Sequence, residues 1–153
     1  MINRQPKHWV LVADSGQARI LELRRKPYEF RLVSELESRT RHLTSHELDS
    51  DASGRAYHVQ GPGSHAKEPR ADAHEQAEEA FVRSLSKALE HAERLGSFEL
   101  LDVIADARTL GRLRRCLSPG VAERLSSEHR LDLSRLPLND LEGRVRTVLG
   151  WAH

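Results

Sequence analysis

The sequence predicts a single domain of the mixed α/β class, with antiparallel strands first and strands alternating with helices afterwards. The main observation is a change of hydrophobic period, from about two residues in the first part of the chain to about 3.6 residues further on. The length of 153 residues, with 38% hydrophobic and 31% charged residues, fits one domain with one hydrophobic core. We expect this domain to span residues 1–153.

Three short strands are predicted at the start of the chain. The run HWVLVAD at 8–14 is continuously apolar, which is typical of a strand buried on both faces. The turn residues Asp-Ser-Gly at 14–16 separate it from a second strand at 17–23. After Lys26-Pro27, apolar and polar residues alternate in a third strand at 29–37. The short turns favour an antiparallel meander.

A long amphipathic helix is predicted over residues 74–95. Apolar residues recur there at three- and four-residue spacing, and Gly96 provides a C-terminal cap. A buried strand at 98–105 and an edge strand at 129–133 are expected after it. Two shorter helices complete the pattern, one running from a Thr109 cap through Leu117 and one running to about Leu149 from a capping box of Asn139 and Glu142.

The predicted order of elements is β-β-β-loop-α-β-α-β-α. Three antiparallel strands followed by strands that alternate with helices fit a mixed sheet with helices packed against it. This is the order of the ribonuclease-H-like architecture, which is therefore the predicted fold.

The long loop of this order, at about residues 38–72, is the first candidate for a functional site, because loops of this length are often functional. Its part GRAYHVQGPGSHAKEPR, at 54–70, mixes glycines with basic and aromatic residues. Backbone amides exposed by glycine, together with local positive charge, suit phosphate or RNA contact. A mobile, solvated surface loop is the alternative interpretation. The candidate binding residues are Arg55, Tyr57, Gly61, Gly63, His65, Lys67 and Arg70.

A second basic feature lies in the first of the shorter helices. Arg108, Arg112 and Arg115 fall along one helical stripe, opposite the leucines of the same helix. Such a stripe is able to hold a phosphodiester backbone or an acidic partner. The alternative, and the more common case, is the solvated face of an amphipathic helix.

Carboxylates on the predicted first strand, long helix and fourth strand invite comparison with two-metal nucleases. The residues concerned are Asp14, Glu78 or Glu79, and Asp106. However, Glu78 and Glu79 are expected on an acidic, solvated helix face. We therefore name no catalytic residue and expect no enzymatic activity.

Neither the histidines nor the cysteine indicates a metal or cofactor site. The histidines do not form an HxH or HExxH pattern. Cys116 is the only cysteine, which excludes an intramolecular disulfide, and it is expected at the boundary of the helix and the core. The histidines considered are His42, His46, His58, His65 and His74.

The charges of the chain nearly cancel. Lys and Arg total 24 and Asp and Glu total 23, which gives a formal net charge of +1. Such a balance argues against a protein that coats nucleic acid generally, so any basic function is local. The N-terminal apolar run is too short for a signal peptide, and no stretch approaches the roughly 20 apolar residues of a membrane span. We therefore expect a cytoplasmic protein.

Four stretches of the chain resemble the host-attachment protein family of bacteria. They are WVLVADSGQARILEL at 9–23, GPGSHAKEPRADAHEQAEEAFVRSL at 61–85, DARTLGRLRRCL at 106–117 and DLSRLPLNDL at 132–141. That family is in turn similar to the central domain of archaeo-eukaryotic peptide-chain release factors, where a Gly-Gly-Gln loop lies between the third strand and the long helix. The Gly-rich loop here holds the corresponding place without Gly-Gly-Gln. The resemblance therefore implies the fold and does not extend to peptide release.

Together, these features predict a non-enzymatic binding module that associates with ribosomes or structured RNA. Two other hypotheses remain open. One is a protein-interaction factor that acts in attachment or stress response without RNA. The other is a metal-dependent nuclease.

Overall fold

The computed structural model describes residues 4–25, 27–38 and 68–151, and the side chains of the last range from residue 71 onward. Within these ranges, the strands are β1 His8–Ala13, β2 Gln17–Arg24, β3 Glu29–Glu37, β4 Leu100–Ala105 and β5 Leu125–Arg130. The helices are α1 Glu68–Arg94, α2 Ala107–Cys116, α3 Pro119–Glu123 and α4 Leu138–Leu149. In this part of the chain, no helix is long and apolar enough to cross a membrane.

The strands form one mixed sheet in the order β3-β2-β1-β4-β5. β1 is antiparallel to β2, and β2 is antiparallel to β3. On its other side β1 is parallel to β4, which is parallel to β5. This topology confirms the predicted ribonuclease-H-like fold.

Helices cover both faces of the sheet and create two cores. On one face, Trp9 and Leu11 of β1 pack in the core that contains Leu85 of α1 and Leu113 of α2. On the other face, Val10 and Val12 pack with Leu141 and Val145 of α4. Because side chains of a strand alternate between faces, all six residues of β1 are buried, as its continuous apolar run predicts.

The last strand lies earlier in the chain than the sequence predicts. It covers Leu125–Arg130 instead of 129–133. Its sequence, LSSEHR, is polar, and only its backbone pairing with β4 places it in the sheet. The apolar Leu133, which suggested a later strand, is buried in the second core after the strand has ended.

Helix starts also differ from their predictions. α1 begins at Glu68, so Arg70 lies in its first turn and the predicted loop is shorter at this end. Pro69 is compatible with this start, because the first N–H groups of a helix have no intrahelical partner. The predicted binding residues Arg55, Tyr57, Gly61, Gly63, His65 and Lys67 lie outside the described residues.

The caps of the two shorter helices are not the predicted ones. α2 begins after Asp106, whose Oδ2 accepts a hydrogen bond from the backbone N–H of Thr109 at 3.2 Å, so the cap is Asp106 and not Thr109. α4 begins after Pro137, and no side chain caps it. The predicted capping box of Asn139 and Glu142 is therefore wrong.

Two glycines of the C-terminal region offer a matched test of backbone conformation. Gly143 lies inside α4, and an added Cβ would meet nothing within 4 Å. Gly150 follows α4 with a φ of 75°. We expect Gly143→Ala to raise the free energy of unfolding by about 0.5–1 kcal/mol, and Gly150→Ala to lower it by about 1–2 kcal/mol. Urea denaturation measures both, and a loss at Gly143 as large as that at Gly150 would contradict this description of α4.

Candidate functional site

A cleft of about 490 Å³ lies at the carboxyl ends of β1 and β4. β1 and β4 are neighbouring parallel strands, and after them the chain goes to opposite edges of the sheet. After β1 it turns into β2 on one side, and after β4 it passes through α2 and α3 to β5 on the other side. In open α/β sheets, ligands bind in the crevice that forms at such a switch point. This cleft is therefore the candidate functional site.

Three aspartates line the cleft, and each accepts a hydrogen bond from a neighbouring group, namely Asp14, Asp106 and Asp132. Asp14 closes the turn after β1, because its Oδ1 accepts hydrogen bonds from the backbone N–H groups of Gly16 and Gln17 at 2.7 and 2.8 Å. The hydroxyl of Ser134 lies 2.7 Å from both Asp14 Oδ2 and Asp132 Oδ1. These contacts tie the segment after β5 to the end of β1.

Arg112 forms a buried bridge beside the cleft. Its side chain is only 6% exposed, and its Nη1 donates to Glu78 Oε1 at 2.9 Å and to Ser15 Oγ at 3.2 Å. The hydroxyl of Ser15 in turn lies 2.9 Å from that of Thr109. A buried charge requires such partners. The bridge therefore joins the end of β1, α1 and α2.

The three arginines of α2 do not share one environment. Arg108 is 62% exposed at the cleft, Arg112 is buried, and Arg115 is exposed further along the helix. The prediction of a single solvated stripe is wrong for Arg112. The expectation that Glu78 lies on a solvated face is also wrong, because Glu78 lines the cleft and pairs with Arg112.

The cleft brings together Asp14, Glu78 and Asp106, the three acids compared above with nuclease carboxylates. In the described ranges, no group of three or more His, Cys, Asp or Glu side chains is arranged to hold a metal ion. Both oxygens of Asp106 already accept hydrogen bonds from Thr109. Asp14 and Asp106 therefore hold the turn after β1 and the start of α2.

Of the histidine and cysteine candidates, His74 and Cys116 lie within the described residues. His74 lines the cleft from α1, whereas His42, His46, His58 and His65 lie outside the described residues. Cys116 is a half-buried free thiol at the end of α2 and packs against the first core. This position agrees with its prediction as a boundary residue.

Basic side chains also line the cleft. Arg108 and Arg135, both exposed, line the cleft together with His74. Ser38, the last described residue before that segment, lines the same cleft. The end of β3 and the helix α1 therefore both contribute residues to the cleft that the two arginines line.

A buried polar chain on the sheet was missed by the sequence analysis. His8 Nε2 lies 2.5 Å from Asp102 Oδ2, and Ser127 Oγ donates to Asp102 Oδ1 at 2.5 Å. His129 Nε2 lies 2.9 Å from the same hydroxyl. Burial raises the pKa of Asp102, but the hydrogen bonds from His8 and Ser127 and the charges of both histidines outweigh it, so the pKa is below its ordinary value of 3.8.

Residues 9–145 match the model of a protein family described as "Protein required for attachment to host cells". The chain belongs to this host-attachment family. This confirms the resemblance found in the sequence. No curated protein matches the chain.

Two solved structures show what the host-attachment fold is similar to. An archaeal translation termination factor is 10% identical, with a TM-score of 0.45, over 94% of this chain and 41% of its own. An archaeal actin homologue is 15% identical, with a TM-score of 0.41, over 97% of this chain and 50% of its own. The chain thus spans half or less of the length of these proteins.

Proposed function

We propose that this host-attachment protein is a non-enzymatic binding module that associates with ribosomes or structured RNA. The observation that carries the proposal is the meeting of Ser38 and α1 beside Arg108 and Arg135 in one cleft. The basic and aromatic residues predicted to bind phosphate belong to the segment between Ser38 and α1. The residue that precedes this segment, Ser38, therefore lines the same cleft as two exposed arginines.

Among the charged residues that line the cleft, Arg108 and Arg135 are suited to contact with a phosphate backbone. Arg108 Nη2 lies 3.8 Å from Glu75 Oε1, and Arg108 Nη1 lies 3.7 Å from Glu78 Oε1. The side chain of Arg108 is largely exposed. Exposed ion pairs of this length are weak, so a phosphate is able to replace the glutamates. Arg135 makes no ion pair within the described residues. Its guanidinium is therefore available for a bidentate contact with phosphate.

The same geometry favours binding over hydrolysis. The described carboxylates of the cleft accept hydrogen bonds from the protein or pair with arginine. Two-metal hydrolysis needs several carboxylates that converge on the ions. A nuclease would cleave a structured RNA when Mg²⁺ is added, whereas we expect the RNA to remain intact.

Charge reversal at the cleft tests the proposal. We expect Arg108→Glu with Arg135→Glu to weaken association with ribosomes or structured RNA by at least about tenfold at moderate salt. The slope of log affinity against log salt should fall by roughly two, because about two fewer counterions are released. Arg144→Glu is the matched control, since Arg144 is an exposed arginine of α4 outside the cleft. Co-sedimentation across a salt series measures all three proteins.

The alternative is a protein-interaction factor in attachment or stress response. The family description, which concerns attachment to host cells, favours it. If the wild-type protein shows no salt-sensitive association with ribosomes or structured RNA, the RNA proposal fails and this alternative replaces it. An equal loss of affinity in Arg144→Glu would instead show that binding follows overall charge and that the cleft is not the site.

A further inference from the structure

A second and smaller cavity, which we call the arginine groove, lies between α1 and α2. Its volume is about 160 Å³, and its lining shares no residue with the cleft. It is lined by Glu79, Val82, Arg83, Arg112, Arg115 and Cys116. Three arginines and one glutamate thus line a small cavity.

The arginines of the groove differ in how firmly their side chains are held. Arg112 is fixed by its buried pair with Glu78, and within the described residues only its Nη1 makes side-chain hydrogen bonds. Arg83 is exposed, and its Nη1 lies 4.0 Å from Oε2 of Glu79, one turn earlier in α1. Arg115 is exposed and makes no ion pair within the described part of the chain. The groove therefore combines one rigid guanidinium with two adjustable ones.

The guanidinium of Arg115 lies near the residue one turn earlier in α2, Gly111. Its Nη1 lies 3.9 Å from where a Cβ would stand on Gly111, so the guanidinium lies back along α2. The three guanidinium groups carry three positive charges, and the carboxylates of Glu78 and Glu79 carry two negative charges. One positive charge is therefore uncompensated. Val82, which is fully buried, gives the groove an apolar wall, and reduced solvation strengthens the attraction for an anion.

We propose that the arginine groove binds a phosphate group. Guanidinium groups present paired N–H donors that match the oxygens of phosphate, and several of them around one anion give strong, charge-assisted hydrogen bonds. The groove is smaller than the roughly 300–1,000 Å³ typical of pockets that enclose a whole ligand. It therefore accommodates the phosphate and leaves any attached group outside. This site is independent of RNA binding at the cleft.

Titration with inorganic phosphate, followed by calorimetry, tests the proposal on the whole chain. We expect saturable binding of one phosphate per chain. Arg83→Gln and Arg115→Gln should each weaken it by at least about tenfold, because each removes a donor and a charge. Both residues are exposed, so the variants are expected to fold, and circular dichroism checks this. Arg144→Gln, which removes an exposed arginine of α4 outside the groove, should bind phosphate like the wild type.

A parallel titration with adenosine monophosphate distinguishes the two sources of the phosphate group. Binding as tight as that of inorganic phosphate, or tighter, identifies a nucleotide as the source, and weaker binding identifies free phosphate. The double variant Arg108→Glu with Arg135→Glu should retain phosphate binding even where RNA binding is lost. Absence of saturable phosphate binding, or an equal loss in Arg144→Gln, would overturn the proposal and leave the RNA-binding cleft unaffected.

Discussion

Leu85→Ala is expected to lower the free energy of unfolding by about 2–5 kcal/mol, since it removes buried methyl groups and leaves a cavity. Leu85 lies near the middle of α1, is fully buried and belongs to the core that also contains Trp9 and Phe98. The loss combines the transfer of apolar surface with the missing packing contacts. Chemical denaturation at neutral pH measures it.

Glu79→Ala is the matched control on the same helix. Its side chain is exposed, and its described partner is Arg83 at 4.0 Å, one turn further along α1. Surface pairs of this kind contribute little, so the change should stay within about 0.5 kcal/mol. Equal losses in the two variants would mean that α1 packs on the sheet with a different face.

Hydrophobic period was sufficient to predict the central strand and the long helix. The run of β1 is buried on both faces, and the apolar positions Phe81, Leu85 and Leu89 of α1 are all buried as their spacing indicates. These elements have strong patterns because each buries a large continuous surface. The order of strands in the sheet then follows from the short turns and from the crossover through helices.

Elements at the margin of the sheet were less predictable. β5 is an edge strand whose polar side chains are at most half-buried, so its place depends on backbone hydrogen bonds to β4. Backbone pairing leaves no periodic mark in such a sequence. For the same reason the strand was predicted too late in the chain, so that it included the apolar Leu133. Leu133 instead follows the strand and packs in the core under α4.

The candidate site shows a different limit. Arg108, Arg112 and Arg115 follow one another on a helical stripe, and nothing local to α2 distinguishes them. Arg112 is buried because Glu78, on another helix, and Ser15, after β1, supply its partners. Tertiary pairing of this kind is invisible to spacing within one element. The sequence did carry a signal for Asp102, since a carboxylate inside a buried apolar strand requires a partner.

The pair of His8 and Asp102 gives the second large expected effect. Their side chains are only 7% and 4% exposed, and Asp102 also accepts a hydrogen bond from Ser127. Asp102→Ala removes the partner of the buried His8, whereas Ser127 keeps His129 Nε2 at 2.9 Å. We expect it to lower the free energy of unfolding by about 1–3 kcal/mol at neutral pH, because a buried donor loses its partner. Urea denaturation measures the loss.

The contribution of the Asp102 charge should also depend on pH. Its pKa is lower in the folded protein than the ordinary value of 3.8, because hydrogen bonds and histidine charges outweigh its burial. The folded state therefore binds a proton less readily than the unfolded state, so the stabilisation is present above about pH 4 and is lost as pH falls through the folded pKa. Asp102→Asn keeps the shape of the side chain and removes its charge. The difference in the free energy of unfolding between this variant and the wild type should therefore become smaller as the pH falls. Glu123→Gln, at an exposed carboxyl of α3, should differ little from wild type at any pH. A constant difference for Asp102→Asn down to about pH 3 would show that the Asp102 charge does not stabilise the fold.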